Sequence, residues 1–373
     1  MRKTLEPIFA GLGTAPTAAQ VLSLKVCDLA MGSGAFLVEA CRQLADALVA
    51  AWERDGMPAD LPKSEEPILI ARRLVAQRCI YGVDKNPFAV NLAKLSLWLA
   101  TLAKDLPFTF IDHALKCGDS LVGLTSWEIG TFDRAATQLS IFRSVQERVK
   151  EVVTTRLEIQ SQDTRSDRDA DVKQQKLTLI DADLDPIRRV ADAKILAFFD
   201  GKNAKDRASR EDEFKALLAE GTETELQKLS QRLRSGDRGV TPFNWEIEFP
   251  EVFDRVNGGF DAIVGNPPFA GKNTLINGTT EGYVDWLKVV NPESHGNADL
   301  VAHFFRRAFT LLRKEGCLGL VATNTIAQGD TRSTGLRYIC MNGGTIYNAT
   351  RRHKWEGAAA VVVSLIHIIK ATY

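Results

Sequence analysis

Strand-length apolar runs and helix-spaced apolar residues take turns along the first third of the chain. Apolar runs of strand length lie at 26–29 and 79–83, and a third predicted strand ends at 116–118. Between these strands, residues 36–52 and 87–102 carry apolar side chains at the 3.6-residue spacing of helices. Residues 21–123 therefore predict strand, helix, strand, helix and strand, with a polar connection at 55–66 inside the first crossover.

The last third of the chain repeats the strand pattern. Strands are predicted at 260–265, 317–324, 344–349 and 358–370. The last run is rich in β-branched residues, and we expect it to lie antiparallel to its neighbour. Strands that alternate with helices are typical of α/β proteins. The sequence therefore predicts a seven-stranded, mostly parallel sheet with an antiparallel last strand.

The stretch between these two parts differs in composition. From about 131 to 238 it is rich in Gln, Asp, Glu, Lys and Arg, with apolar residues at roughly helical intervals. We interpret it as an inserted helical arm or hairpin. Solvated helices packed on the core are favoured over a surface that faces DNA. The chain is thus divided into 1–130, a charged helical insertion at 131–240, and 241–373.

A glycine turn directly follows the first predicted strand. Asp28, Ala30, Gly32 and Gly34 lie in this turn, before the first long helix. The order of strand, glycine turn and helix is a nucleotide-binding arrangement. A dinucleotide fingerprint also requires a third small residue, but position 37 is Leu37. An NAD site is therefore disfavoured.

The next two predicted strands also end in carboxylates. Asp84 closes the second strand, where an acidic side chain can accept hydrogen bonds from ribose hydroxyls. Asp119 follows the third strand and can accept a hydrogen bond from an adenine amino group. Three consecutive strand ends thus each offer a polar contact to a cofactor.

The run Asn266, Pro267, Pro268 and Phe269 follows the apolar strand at 260–265. The Asn266 side chain and the Pro267 carbonyl offer two neighbouring acceptors, and the prolines restrict the backbone that holds them. Phe269 offers an apolar face for a flat heterocycle; base stacking on aromatic residues contributes about 1–3 kcal/mol. The run predicts a pocket for a planar amino group.

Together these segments resemble the S-adenosylmethionine-dependent DNA methyltransferases. Residues 28–36 resemble their motif I, 81–98 their second motif, 118–121 their third, and 266–269 their catalytic motif IV. Residues 299–324 resemble the helix and strand that follow in that family. The order of the motifs is that of the gamma-type amino-methyltransferases, and of the large single-chain, type IIG-like restriction-modification enzymes among them.

The resemblance implies a Rossmann-like methyltransferase fold and S-adenosylmethionine as cofactor. It implies methylation of adenine N6 in DNA, with the target base flipped out of the duplex. The catalytic residues it implies are Asn266, Pro267, Pro268 and Phe269. The cofactor-binding residues it implies are Asp28, Ala30, Gly32, Gly34, Phe36, Asp84, Asp119 and Asn266.

Departures from the family pattern keep other interpretations open. Leu29 stands where the family usually has Pro, and neither a Tyr-Thr-Pro segment before motif I nor a target recognition domain is recognisable. We therefore expect a catalytic core that belongs to, or is left from, a longer protein. A protein glutamine N5-methyltransferase, a cytosine N4 methyltransferase and an inactive remnant are the alternatives.

Composition narrows the list of partners. Forty-seven basic residues balance forty-seven acidic ones, so no overall positive field attracts DNA. Contact with DNA must then be local, and the short basic clusters at 306–307 and 351–354 are candidates. The six cysteines lack metal-ligand spacing, so we expect neither a metal nor a disulfide framework. With no signal peptide or long apolar run, we expect a cytoplasmic protein without membrane contact.

Overall fold

A computed structural model describes residues 1–59, 61, 65–103, 106–131, 138–219, 223–354 and 362–371. Seven strands of these residues form one sheet in the order β3-β2-β1-β4-β5-β7-β6. Neighbours from β3 to β5 are parallel, and β7 runs antiparallel to both β5 and β6. The predicted fold class is confirmed. The strands are β1 Val26–Asp28, β2 Ile80–Asp84, β3 Leu115–Cys117, β4 Phe260–Gly265, β5 Leu312–Thr323, β6 Gly344–Lys354 and β7 Val362–Lys370.

The first crossover contains more helix than its sequence pattern predicted. Two helices join β1 to β2, because a second helix begins at Pro67, a residue with the fixed φ of a first helical turn. The helices before β3 are α1 Arg2–Gly11, α2 Ala18–Ser23, α3 Ala35–Asp55, α4 Pro67–Cys79 and α5 Pro87–Ala100.

The helices after β3 fall into an insertion and the segments that flank β4 and β5. Between β3 and β4 lie α6 Ser126–Gly130, α7 Gln138–Ser161, α8 Asp167–Asp200, α9 Ala204–Ala219, α10 Glu223–Arg234, α11 Trp245–Glu248 and α12 Pro250–Phe253. Later come α13 Lys272–Gly278, α14 Tyr283–Val290, α15 Leu300–Leu311, a 3₁₀ turn Asn324–Ala327, α16 Gly329–Arg332, a π turn Ser333–Arg337 and α17 Tyr338–Met341.

Each face of the sheet carries its own hydrophobic core. Successive strand residues point to opposite faces, so Val26 and Ala262 contact one core while Cys27 and Ile263 contact the other. Helices α1–α5 bury their apolar residues in the first of these cores, which contains Val26 and Ala262. The inserted helices, together with α14 and α15, bury theirs in the second. The sheet is thus covered on both faces, as a parallel sheet requires.

The insertion contains four helices in the described residues, where an arm or a hairpin was predicted. Its apolar residues Leu177, Ile180, Leu184 and Ile187 are buried in the second core. Leu157 shares their helical spacing but is exposed, because the face of α7 that meets the core carries Ile159 instead. The insertion is therefore part of the layer that covers one face of the sheet.

Candidate cofactor and substrate site

The carboxyl ends of β1, β2, β3 and β4 meet at one edge of the sheet. The chain moves outward from β1 to β3 and then returns to β4 on the other side of β1, so the strand order reverses between β1 and β4. Ligands of open α/β sheets bind at such a switch point. A cavity of about 340 Å³ opens there. It is lined by Leu29, Ala30, Asp84, Lys85, Gly118, Asp119, Ser120, Asn266, Pro268, Thr279, Tyr283, Leu300 and Phe304.

The glycine turn after β1 is fixed by a hydrogen bond to the end of β2 and by close packing against α5. The Gly32 amide donates to Asp84 Oδ2 at 2.8 Å, which ties the turn to the end of β2. Gly34 has a φ of +79°, and a side chain there would press on Ala93 of α5 at 3.1 Å. Gly34 is therefore required for the close approach of α3 to α5, whereas Ala30 lines the cavity itself.

Asp28 lies beneath this turn with 2% of its surface exposed. Its Oδ1 accepts a hydrogen bond from the Ala30 amide at 3.0 Å, while its buried Oδ2 has no partner among the described residues. Burial, with a smaller contribution from nearby Asp84, raises the pKa of the Asp28 carboxyl to about 7. Gly265 has a φ of +151°, and a Cβ there would come within 2.5 Å of Asp28 Oδ1. Gly265 thus allows β4 to pass close to this carboxyl.

Asp84 ends β2, Asp119 follows the neighbouring strand β3, and both line this cavity. Asp84 accepts from the Gly32 amide and, through Oδ1, from the Asn86 amide at 2.8 Å. Asp119 accepts from the Leu121 amide at 3.0 Å. Both carboxylates keep acceptor capacity, because a carboxylate offers about four lone-pair positions.

The loop after β4 carries Asn266 exposed on the cavity wall, with Pro267 buried behind it. The continuation of this loop is fixed by Asp299, which precedes α15. Asp299 Oδ1 accepts from the Ala270 amide at 3.2 Å, and the Leu300 amide donates to the Ala270 carbonyl at 2.9 Å. The start of α15 therefore holds the loop that presents Asn266.

Comparison with protein families shows which family the chain belongs to. The family model of the Eco57I restriction-modification methylases matches residues 78–348, which is most of the chain. The chain belongs to this family. The model of the MmeI DNA-methyltransferase domain also matches, over residues 16–121. The resemblance to restriction-modification methyltransferases is thereby confirmed.

Curated relatives of this methylase are longer proteins. A putative type II restriction enzyme and methyltransferase, RM.MjaORFECS2P of Methanocaldococcus jannaschii, is 24% identical over 84% of this chain and 26% of its own length. The type II restriction enzyme and methyltransferase RM.Eco57I of Escherichia coli is 29% identical over 28% of this chain and 12% of its own. The methylase chain thus spans about a quarter of the first relative.

Solved structures of restriction-modification enzymes also align with the methylase. The type IIL enzyme MmeI in complex with DNA aligns with all of this chain and 34% of its own, with a TM-score of 0.45 and 17% identity. The M protein of the type I restriction enzyme EcoKI aligns with 94% of this chain and 41% of its own, with a TM-score of 0.41 and 12% identity.

Two aromatic residues expected at the site are not among the residues that line the cavity. Phe36, on the first turn of α3, packs against the core on the far face of the sheet and does not line the cavity. Phe269 is half-buried and packs against the second core beside the cavity. The position of Phe36 on α3 directs its ring into the core that α1–α5 form. A sequence motif does not indicate this direction.

Eight residues that line the cavity were not anticipated as site residues: Leu29, Lys85, Gly118, Ser120, Thr279, Tyr283, Leu300 and Phe304. Tyr283 lies in the segment between motif IV and α15, which matches none of the recognised motifs. Phe304 lies on α15 and reads in sequence as an ordinary apolar helix position. Lys85 directly follows Asp84, so the sequence could have indicated it as a cation next to a predicted cofactor-binding residue.

The basic clusters of the methylase differ in exposure. Arg306 is buried; its guanidinium stacks on Tyr338 and donates to the Pro292 carbonyl at 2.7 Å, so this cluster does not offer a free cationic surface. Residues 351–354 are exposed at the end of β6. Cys117 is exposed at the end of the edge strand β3.

The described ranges contain neither a cluster of metal ligands nor a helix that could span a membrane. No three His, Cys, Asp or Glu side chains there come together as ligands for an ion. No described helix has the length and apolar character needed to cross a bilayer.

Proposed function

We propose that this chain transfers a methyl group from S-adenosylmethionine to N6 of adenine in DNA. The observation that carries the proposal is the shared cavity, which is lined by Asp84 and Asp119 from two strand ends and by Asn266 from a third. These residues match the cofactor motifs and the catalytic motif by position in the sequence. Membership in a restriction-modification methylase family supports DNA as the substrate.

The residues around the cavity suit this cofactor chemically. Asp84 suits ribose hydroxyls, and Asp119 suits an adenine amino group, because both groups donate hydrogen bonds and carboxylates accept them. Asp28 has a buried oxygen without a partner in the described residues. A buried carboxylate of this kind is stabilised by a nearby cation, and the cofactor carries an ammonium group and a sulfonium. When bound, the cofactor supplies a methyl group on positively charged sulfur, which the amino nitrogen accepts while it loses one proton to solvent.

Asn266 and Pro267 orient the nucleophile in this proposal. The lone pair of an adenine amino nitrogen is delocalised into the ring, which makes the nitrogen a poor nucleophile. Asn266 Oδ1 and the Pro267 carbonyl accept its two hydrogens, favour a pyramidal nitrogen and direct its lone pair into the cavity. Orientation of this kind accounts for much of an enzyme's rate enhancement and needs no strong base.

Phe269 stacks on the flipped base at the cavity edge in the same proposal. A base must leave the duplex before its amino group reaches a buried pocket. Phe269 is half-buried beside Asn266, so part of its ring stays accessible to a base. Stacking then offsets part of the free energy spent on unpairing the base.

The test compares cofactor binding and methyl transfer in two variants. Asn266→Ala should bind S-adenosylmethionine with unchanged affinity in calorimetry, while transfer to unmethylated DNA falls by a factor of about 100 or more, since the amino group loses an acceptor. Asp84→Ala should lose binding. Asn342→Ala, an exposed residue at the end of α17, is the matched control and should change neither.

The product identifies the acceptor. Mass spectrometry of digested DNA should show N6-methyladenine, and its absence beside N4-methylcytosine would reassign the substrate base. Methyl transfer that persists after the substrate is treated with DNase, but is lost after the substrate is treated with protease, would instead support the protein glutamine alternative. A folded chain that binds no S-adenosylmethionine would overturn the proposal.

A further inference from the structure

Tyr283 makes a contact inside the cavity that no sequence motif indicates. Its hydroxyl lies 3.0 Å from both Asp119 Oδ1 and Asp119 Oδ2, and 4% of the residue is exposed. The phenol therefore donates its single proton to the carboxylate that the proposed function assigns to the adenine end of the cofactor.

The helix that carries Tyr283 is fixed to the same loop by a second hydrogen bond. Trp286 Nε1, one turn further along α14, donates to the Leu121 carbonyl at 3.0 Å. Two aromatic side chains thus attach α14 to the loop after β3. Because α13 and α14 follow the Asn266 loop along the chain, this segment connects the catalytic loop to the cofactor-binding carboxylate.

The hydrogen bonds to Asp119 are unevenly distributed between its two oxygens. Oδ1 also accepts from the Leu121 amide, whereas Lys85 Nζ is 3.6 Å from Oδ2, beyond a normal hydrogen bond. Oδ2 therefore keeps the larger acceptor capacity. Burial, and then the neighbouring Asp119, raise the pKa of the Tyr283 hydroxyl well above its usual value, so the phenol stays a donor at neutral pH.

We propose that Tyr283 is a positioning residue that sets purine specificity at the cofactor site. By donating to Asp119 it holds the carboxylate in one orientation, with Oδ2 available to an exocyclic amino group. A 6-aminopurine donates to this oxygen, but a 6-oxopurine presents a second acceptor to it. This inference rests on the proposed function, because it takes Asp119 as the contact for the cofactor's adenine.

The experiment measures binding of two product analogues that differ only at that purine position. S-adenosylhomocysteine and S-inosylhomocysteine are titrated calorimetrically into the wild-type chain, Tyr283→Phe, Asp119→Asn and Tyr338→Phe. The wild type should prefer the adenosyl compound by a factor of about 10–100, the range for one hydrogen bond to a charged group. Tyr283→Phe should reduce this preference several-fold, because the carboxylate is then free to rotate.

The controls separate positioning from packing. Tyr338 stacks on Arg306 and does not line the cavity. Tyr338→Phe preserves this ring, and the variant should retain the wild-type preference for the adenosyl compound. If Tyr283→Phe weakens both analogues equally and leaves the preference unchanged, Tyr283 only supports the cavity wall and the inference is wrong. Thermal melting of each variant verifies that it is folded before titration.

The same titrations distinguish failure of this inference from failure of the proposed function. A wild-type preference that Asp119→Asn removes and Tyr283→Phe leaves intact contradicts the role of Tyr283 alone. A folded wild-type chain that binds neither analogue contradicts the cofactor assignment itself, and the inference about Tyr283 fails with it.

Discussion

Asp28 is an acidic residue that is almost completely buried at the end of β1. Its carboxyl accepts one backbone hydrogen bond, and its other oxygen has no partner among the described residues. Burial raises its pKa from 3.8 to about 7. Because the unfolded chain retains the ordinary value, the folded protein binds a proton that the unfolded chain releases between these two pH values.

The contribution of Asp28 to the free energy of unfolding should therefore decrease as the pH rises from about 4 to 7. A tenfold change in a proton equilibrium is worth about 1.4 kcal/mol, so ionisation of Asp28 costs on the order of 4 kcal/mol. The stabilising contribution is fully present below pH 4 and is lost through pH 7. Urea unfolding at pH 5 and pH 8 should show that Asp28→Asn loses less stability over this interval than the wild type.

Asp237→Asn is the matched control, since Asp237 is an exposed aspartate in the loop after α10. It should follow the wild-type pH dependence. Parallel curves for wild type and Asp28→Asn would show that Asp28 is ionised at little cost in the folded protein.

Most of the polar site residues were predictable because each occupies a locally recognisable position. Asp84, Asp119 and Asn266 follow predicted strands, and the carboxyl ends of parallel strands share one edge of the sheet. Their joint presence around one cavity agrees with that expectation. Tyr283 was not predictable, because its contact with Asp119 joins residues 164 positions apart.

At the scale of elements, α7 is attached to the sheet layer by a buried ion pair. Arg156 is fully buried and donates to Glu251 Oε2 at 2.7 Å and Oε1 at 3.0 Å, and also to the His113 carbonyl at 2.8 Å. Burial alone would raise the pKa of Glu251, but Arg156 overcomes this effect and lowers it. Glu251 is therefore ionised and depends on its partner.

Arg156→Met should destabilise the protein by about 3–5 kcal/mol at neutral pH, because it leaves a buried carboxylate without its ion pair. The loss should shrink as the pH falls, since the buried Glu251 of the variant, without Arg156, can then accept a proton. Lys228→Met, which breaks an exposed pair with Glu225 on α10, should cost less than about 0.5 kcal/mol. Equal losses in urea unfolding for the two variants would contradict this account.

Element boundaries were most accurate where the local signal was strongest. The strand at 260–265 matches β4 at both ends, and the helix predicted at 87–102 corresponds to α5. The crossover before β2 and the insertion were underestimated, because their charged, discontinuous patterns do not show how many helices pack side by side. The number of helices in such a stretch depends on turns such as the one between Asp200 and Ala204.

At the scale of the whole molecule, the insertion and the sheet share one core. Leu184 and Ile187 of α8 belong to the same buried cluster as Tyr81 of β2 and Ile263 of β4. Segments that share a core lose their packing together. We therefore expect the insertion to unfold with the methylase sheet.

Urea unfolding should give one transition, with the same midpoint by far-ultraviolet circular dichroism and by tryptophan fluorescence. Leu184→Ala should shift both signals together and cost about 2–5 kcal/mol, the range for a buried leucine. Leu179→Ala, an exposed leucine on the same helix, should leave the midpoint unchanged. An early transition that removes helical signal while the fluorescence stays native would show that the insertion unfolds alone.

The sequence by itself determined the α/β class, the order of the strands along the chain and the polar residues at their ends. These features are local, because strand and helix periodicity and turn formation depend on residues that are close together in the sequence. Only the tertiary structure decided which strands are neighbours, that Gly265 passes against Asp28, and that Tyr283 reaches Asp119. Those contacts join distant segments, and their formation depends on how both faces of the sheet are packed.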